Sequence, residues 1–345
     1  MLEIIQKLNK YENLSPDEIQ AAFRLIMNGT AGEANVKAFL LALRAKGATV
    51  EEITGAATVM RQFALPVASH QPVILDTCGT GGDRCHTFNI STLSAFVIAG
   101  VGVAVAKHGN RSASSRCGSA DVLEALGVSL LVEEKNAGLC LDDVGIVFLF
   151  APAFHPAMKN VATIRKQIGH DTIFNLLGPL TNPAEATHQI VGVYHRDLVA
   201  PVATVLKNLG LQRAMVVHGN DGLDEITTTE QTFISEFNGA DIVSYDITPE
   251  ELGFKRAKPL DLTGGDLKEN IRIFESVLDG ERGPKRDIVV INAAYGLYLC
   301  GRAKTVAEGV ELAKESLDTG KARQKLETLK EFSRRIEEVN RGRKA

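Results

Sequence analysis

Long apolar runs are missing from this 345-residue chain. The longest, near positions 95–106 and 146–150, fall well short of the ~20 residues that a membrane-spanning helix needs. A soluble protein without a membrane partner is therefore predicted. Cysteine is sparse and unpatterned: the five residues at 78, 85, 117, 140 and 300 are odd in number and contain no Cys-x-x-Cys pair. No His/Cys spacing suggests zinc. With no leader segment at the start, these cysteines read as reduced thiols, and the cytoplasm is the expected compartment. Neither sign of charge dominates, since 38 Lys plus Arg stand against 42 Asp plus Glu for a net of -4. The chain also lacks a block of like charge outside a mildly basic C terminus, so a bulk electrostatic grip on nucleic acid is excluded. Internal repeats and low-complexity segments are absent too.

What is present indicates an α/β protein with a second, helical part. The chain is longer than a single hydrophobic core usually supports, so two domains are expected. Through residue 65 the pattern is helix after helix, with Ser15-Pro-Asp-Glu18 and Thr49-Val-Glu-Glu52 each forming a capping-box signature. From residue 73 the texture changes to short apolar strands, 73–75, 101–106, 146–150, 190–194 and 214–217, alternating with helices. That alternation predicts a mostly parallel central sheet covered by helices. A helix is predicted over Pro156 to Ile168, followed by an irregular stretch to Pro183. The predicted division is a small all-helical domain, 1–70 joined discontinuously by about 156–183, and a larger α/β domain, 71–155 with 184–345. The charged tail from Lys321 reads as a helix with a solvated face.

Ligands of such sheets bind at the carboxyl ends of the strands, and the run from Asp76 to Thr92 follows the first strand. Gly79, Gly81 and Gly82 allow positive φ and close approach of backbone N–H groups to an anion. Asn89, Ser91 and Thr92 fall at the start of the next helix, where unpaired N–H groups and the helix dipole favour phosphate. The spacing matches neither a Walker loop nor a dinucleotide fingerprint. A tight turn with an ordinary cap is the alternative.

After the second strand, Lys107-His-Gly-Asn-Arg-Ser-Ala-Ser-Ser-Arg-Cys-Gly-Ser119 combines cations, hydroxyls and glycines at a density suited to several phosphates. A solvated basic loop is its plainer reading. Further on, Asp224 and Glu225 follow a strand and a glycine turn, and such hard oxygen donors suit Mg²⁺ together with substrate phosphates; Asp-Gly is also a common turn dipeptide. Arg165 would clasp a carboxylate if it faces the cleft, and is otherwise an exposed helical arginine. His108, His155 and His170 stay open between hydrogen-bonding and catalytic roles. The residues alone describe a metal-assisted transferase acting on a polyphosphorylated substrate, without an evident Ser-His-Asp or Cys-His nucleophile.

These motifs, together with Gly178-Pro-Leu-Thr-Asn-Pro183 and in this order, make the chain resemble the anthranilate phosphoribosyltransferases of tryptophan biosynthesis, which share their fold with pyrimidine nucleoside phosphorylases. The resemblance extends over essentially the whole chain. It implies transfer of the phosphoribosyl group from 5-phosphoribosyl 1-diphosphate to the amine of anthranilate, with release of diphosphate. By position, Gly79, Gly82, Asp83, Thr87, Asn89, Ile90, Ser91, Thr92, Lys107, His108, Gly109, Asn110, Arg111, Ser112, Ala113, Ser114, Ser115 and Ser119 would hold the donor. Gly79, Asn110 and Arg165 would hold anthranilate, and Ser91, Asp224 and Glu225 would ligate two Mg²⁺ ions. Lys107 and His108 are the candidate catalytic contributors, with no covalent nucleophile expected. A homodimer through the helical domain is implied as well.

Two other activities are compatible with such a scaffold. A nucleoside phosphorylase would leave the acidic pair and the second loop without a purpose. A non-catalytic nucleic-acid-binding relative should be basic, and this chain is acidic overall.

Overall fold

The computed structural model describes residues 1–83, 85–111, 117–130 and 132–342. Of the candidate donor-binding residues, Ser112, Ala113, Ser114 and Ser115 lie outside the described residues. Four helices open the chain: α1 (Leu2–Asn9), α2 (Pro16–Met27), α3 (Glu33–Lys46) and α4 (Val50–Gln62). Both capping boxes form, Ser15 with Glu18 and Thr49 with Glu52, each satisfying donors that a helix start leaves unpaired. Glu52 does more than cap. Fully buried, it also accepts the Leu14 N–H at 2.8 Å and pairs with Lys46 at 2.8 Å, tying α3 and α4 to the chain entering α2.

The remainder builds a seven-stranded sheet. In chain order come β1 (Ile74–Gly79), α5 (Ile90–Gly100), β2 (Ala104–Gly109), α6 (Ser119–Ala125), α7 (Glu134–Val144), β3 (Ile146–Phe150), α8 (Ala151–Phe154), α9 (Lys159–Ile168), α10 (Ile173–Leu177), β4 (His188–Gly192), α11 (Val199–Asn208) and β5 (Arg213–Gly219). Next are β6 (Thr232–Phe237), β7 (Ile242–Ile247), α12 (Leu267–Leu278), α13 (Pro284–Leu299), α14 (Val306–Asp318) and α15 (Lys321–Gly342). The spatial order is β3-β2-β1-β4-β5-β6-β7. The first five strands are parallel, and β6 and β7 extend the edge in antiparallel fashion. The strand alternation foresaw the parallel part but not this antiparallel pair.

β1 and β2 reach farther than their apolar runs. Asp76 to Gly79 and Lys107 to Gly109 belong to the strands, pairing Asp76 with Gln189 and Gly79 with Gly192 on one side, and Lys107 with Phe148 on the other. Ladder hydrogen bonds come from the backbone, so a polar side chain extends a strand wherever it is itself satisfied. The helix expected over 156–168 is interrupted: Pro156–Met158 forms a single 3₁₀ turn before α9, and His155, with φ −121° and ψ 64°, leaves the helical region that a following proline disfavours.

Two cores flank the sheet. One face carries α5, α7 and α12 to α15. On the other, α11 and the inner residues of β4 and β5 share a core with the N-terminal helices and with Val161, Ile164, Ile168, Phe174, Leu177 and Leu180. Phe23 joins these pieces, lying 6.1 Å from Phe39 and 5.6 Å from Phe174 between ring centres. α15 departs from the solvated helix expected of it. Ala322, Leu326, Leu329 and Phe332 form a buried stripe on its inner face, which a charge-rich composition conceals unless the helical period is followed. Among the described residues, no helix is long and apolar enough to cross a membrane.

Candidate active site

The candidate residues gather at the carboxyl ends of β1, β2 and β5. Gly79 closes β1, and Gly81 and Gly82 follow with φ of 63° and 83°, the left-handed region that glycine enters without penalty. Thr87 bridges to Thr263. Asn89 is the N-cap of α5, with no side-chain cap bond of its own, and Ile90, Ser91 and Thr92 form the first turn. The Asn89 amide donates to Cys117 O at 3.4 Å, while its Oδ1 and the buried Thr92 hydroxyl have no hydrogen-bond partner among the described residues. Buried polar groups are nearly always satisfied, so these two are poised for a ligand.

Lys107, His108 and Gly109 are the last residues of β2. The Lys107 ammonium donates to Thr77 O and, at 3.2 Å, to Ser91 Oγ, which ties β2 to the first turn of α5. Asn110 O accepts the Ser119 hydroxyl at 3.2 Å, so the second loop closes on itself. Arg111 pairs with Asp121 and Glu124 at 2.8 Å each. It must exchange these acids for phosphate to serve in donor binding.

The acidic turn after β5 completes the arrangement. The Gly81 N–H donates to Asp224 at 2.8 Å, and the Ser91 N–H donates to Glu225 at 3.0 Å. Desolvation raises both carboxyl pKa values above the usual range, as does the neighbouring acid, Asp83 for Asp224 and Asp224 for Glu225. Asp76, Asp224 and Glu225 all act electrostatically on Lys107, whose own pKa burial lowers. Several carboxylates around one lysine leave a deficit of positive charge that a divalent cation would fill. Among the described residues, no group of three or more His, Cys, Asp or Glu forms a complete metal cage. Mg²⁺ sites commonly need no such cage, because substrate oxygens and water supply the remaining ligands.

Several supporting residues were not singled out from the sequence. Asp221 accepts the Thr227 and Thr229 hydroxyls and the Leu223 N–H, which shapes the acidic turn from within. Asn292 of α13 bonds both the N–H and the carbonyl of Ile226, at 3.0 and 2.9 Å. Gly192 is the closest support of all, since any side chain there would overlap the Asp224 backbone. Asn292 and Gly192 reach this turn from far along the chain, so no local spacing announces them.

The histidines separate. His108 and His155 are buried with ring centres 5.0 Å apart. The backbone of Gly178 lies beside the His108 ring and that of Thr181 beside the His155 ring, and among the described residues neither Nε2 has a hydrogen-bond partner. Burial depresses their pKa values to about 3 and about 4, so both are neutral acceptors. His170 is exposed and takes no part in this pair. Half-buried Arg165 stacks its guanidinium 5.4 Å from the centre of the Phe174 ring, and no hydrogen bond or ion pair holds it among the described residues. Phe174 lies four residues before Gly178, whose backbone lies beside the His108 ring, so the arginine and the histidine pair border one continuous segment.

Comparison with known proteins now bears on this geometry. The glycosyl transferase family matches in both its parts, the helical bundle domain over residues 2–64 and the a/b domain over 71–323. An anthranilate phosphoribosyltransferase from Symbiobacterium thermophilum is 52% identical over 336 residues, covering 97% of this chain and 98% of its own. The chain belongs to the anthranilate phosphoribosyltransferase family. The crystal structure of an anthranilate phosphoribosyltransferase from Thermus thermophilus superposes with a TM-score of 0.91 at 43% identity, covering 96% of this chain and 99% of that one. One from Saccharomyces cerevisiae in complex with PRPP and Mg gives 0.89 at 29% identity, with 96% and 97% covered. Anthranilate phosphoribosyltransferases thus share this helical bundle, this mostly parallel sheet and the course of the chain between them.

Proposed function

We propose that this chain transfers the phosphoribosyl group of 5-phosphoribosyl 1-diphosphate to the amine of anthranilate, in the route to tryptophan. One observation supports this most: Ser91 meets both Lys107 and Glu225, so a phosphate cradle and a metal-binding turn share a residue. The donor lies along Gly79, Gly82, Asp83, Thr87, Asn89 to Thr92, Lys107 to Arg111 and Ser119. The orphaned Asn89 and Thr92 oxygens support that path. Ser91, Asp224 and Glu225 hold Mg²⁺, two ions per subunit, and the unbalanced carboxylates support that assignment. When bound, Mg²⁺ neutralises charge that develops on the departing diphosphate.

Displacement at the anomeric carbon passes through a state positive on the ribose and increasingly negative on the leaving group. Lys107 and the glycine-loop N–H groups stabilise that negative charge from fixed positions, at no cost of reorganisation. Anthranilate lies between Gly79, Asn110 and Arg165, its carboxylate on the unpaired guanidinium. The aromatic amine is neutral near pH 7 and attacks without prior deprotonation, so positioning dominates. The protonated aromatic amine so formed is a strong acid, and a base as weak as His108 suffices to receive its proton.

The chain forms a homodimer through the helical domain and works in the cytoplasm. Exposed Leu2, Tyr11, Leu25 and Leu41 on or beside α1 to α3 support the first statement, and five free cysteines the second. Mixing protein, donor and Mg²⁺ with anthranilate, and separately uridine or thymidine with orthophosphate, tests the reading. Diphosphate release with anthranilate alone is expected. Phosphorolysis without Mg²⁺ would replace the reading with a nucleoside phosphorylase.

A further inference from the structure

A buried polar chain links the two halves of the site. Asp76 in β1 is fully buried and accepts the His108 N–H at 3.1 Å on one oxygen and the Gln189 amide at 3.1 Å on the other. Gln189 in β4, also buried, donates from the same nitrogen to Pro179 O at 2.6 Å. Pro179 follows Gly178, whose backbone lies beside the His108 ring, and Asn182 anchors the same arm to β2 through Ala106 O at 2.7 Å. Upstream, the arm continues into α10, where Phe174 carries the Arg165 guanidinium. Downstream of Asp76, strand β2 carries Lys107 to Ser91.

Gln189 is therefore a side chain at which a donor-side strand and the acceptor-side arm meet, next to a longer contact of Cys78 Sγ with the same Pro179 O at 4.0 Å. Its amide nitrogen has two hydrogens, and its two oxygen partners belong to different segments, Asp76 to β1 and Pro179 to the arm before β4. Both partners are buried acceptors, so losing the amide leaves each short of a donor in a medium where that is costly.

We infer that Gln189 is a positioning residue for the acceptor, fixing the Gly178–Asn182 arm to Asp76 so that Arg165 and His108 address anthranilate in register with the donor. This rests on the assignment of Arg165 to anthranilate. Gln189 itself touches neither substrate. Asn182, the Arg61 guanidinium on Leu180 O and the Val67 N–H on Pro183 O secure the far end of the arm, whereas Gln189 secures the end nearer α10.

The test is a double-mutant cycle on steady-state kinetics, with Gln189→Leu and Arg165→Ala alone and together. Gln189→Leu is expected to raise KM for anthranilate about tenfold and to lower kcat, with KM for the donor within about twofold, because one charge-linked hydrogen bond is lost. In the Arg165→Ala background the further rise in anthranilate KM from Gln189→Leu should shrink to under about twofold, since the effect runs through Arg165. Gln189→Asn keeps the amide but is one methylene too short to span both acceptors. It should show the same split and covers the case in which the leucine variant does not fold. Equal rises in both Michaelis constants, or fully additive effects in the cycle, would overturn the inference while leaving Arg165 assigned. An unchanged anthranilate KM in Arg165→Ala would remove the assignment and the inference together.

Discussion

Asp224 accepts a hydrogen bond from the backbone N–H of Gly81, so the acidic turn after β5 and the glycine loop after β1 touch directly. A methyl group at Gly79, two residues earlier, would overlap that carboxylate. Gly79→Ala is accordingly expected to displace Asp224 and to weaken Mg²⁺ about 10- to 100-fold, as loss of support around a metal ligand commonly does. Mg²⁺ titration of activity measures this. The exposed position of Gly79 predicts a nearly unchanged melting temperature alongside it.

Arg165 stands over Phe174 without an ion-pair partner among the described residues, and its charge is available to a carboxylate. Replacing it by alanine removes a charge-assisted hydrogen bond worth about 2 kcal/mol. The expected result is a rise of about 30-fold in KM for anthranilate with little change for the donor. Arg165→Lys should recover only part of that loss, because an ammonium lacks the planar fork.

The neutral histidine pair predicts an acid limit to stability. In the unfolded chain both residues protonate near pH 6.5, whereas burial holds the folded values at about 3 and about 4. Their folded-state pKa values are depressed, so the unfolded chain binds more protons in the interval between. Stability is fully present above pH 6.5 and is lost as pH falls toward the folded values. At pH 5 the loss amounts to about 2 kcal/mol for each histidine. His155→Gln cannot titrate and should lessen the fall in denaturation midpoint between pH 7.5 and pH 5. Equal falls in both proteins would show that His155 is not held neutral by the fold.

Much of this was legible locally. Ser15 with Glu18 and Thr49 with Glu52 announce helix starts because a capping box acts within four residues. Glycines 79, 81 and 82, Ser91 and the acids at 224 and 225 stand out because anion and cation chemistry restricts side-chain type. What stayed hidden is nonlocal. Gln189 and Asn292 matter through partners reached only after the sheet assembles, and each looks ordinary in sequence. The ends of β1 and β2 were missed because Asp76 and Lys107 are buried polar residues, and hydrophobic periodicity reads such residues as loop. β6 and β7 escaped because a parallel strand alternation does not foretell an antiparallel edge.

Glu52 illustrates the same point in the helical domain. Its carboxylate answers Leu14, Thr49 and Lys46 in a fully buried position. Glu52→Ala strands the Lys46 charge and two backbone donors, with an expected cost of about 3–5 kcal/mol in chemical denaturation. A change of under about 1 kcal/mol would mean that the network relaxes into water-bonded alternatives.

The central claim is a Mg²⁺-dependent phosphoribosyl transfer to anthranilate. Following anthranilate fluorescence with the purified protein, the donor and Mg²⁺ measures it directly. The account predicts a loss of fluorescence that requires all four components and is matched mole for mole by released diphosphate. Fluorescence that stays constant with every component present, or that falls equally without Mg²⁺, would contradict it.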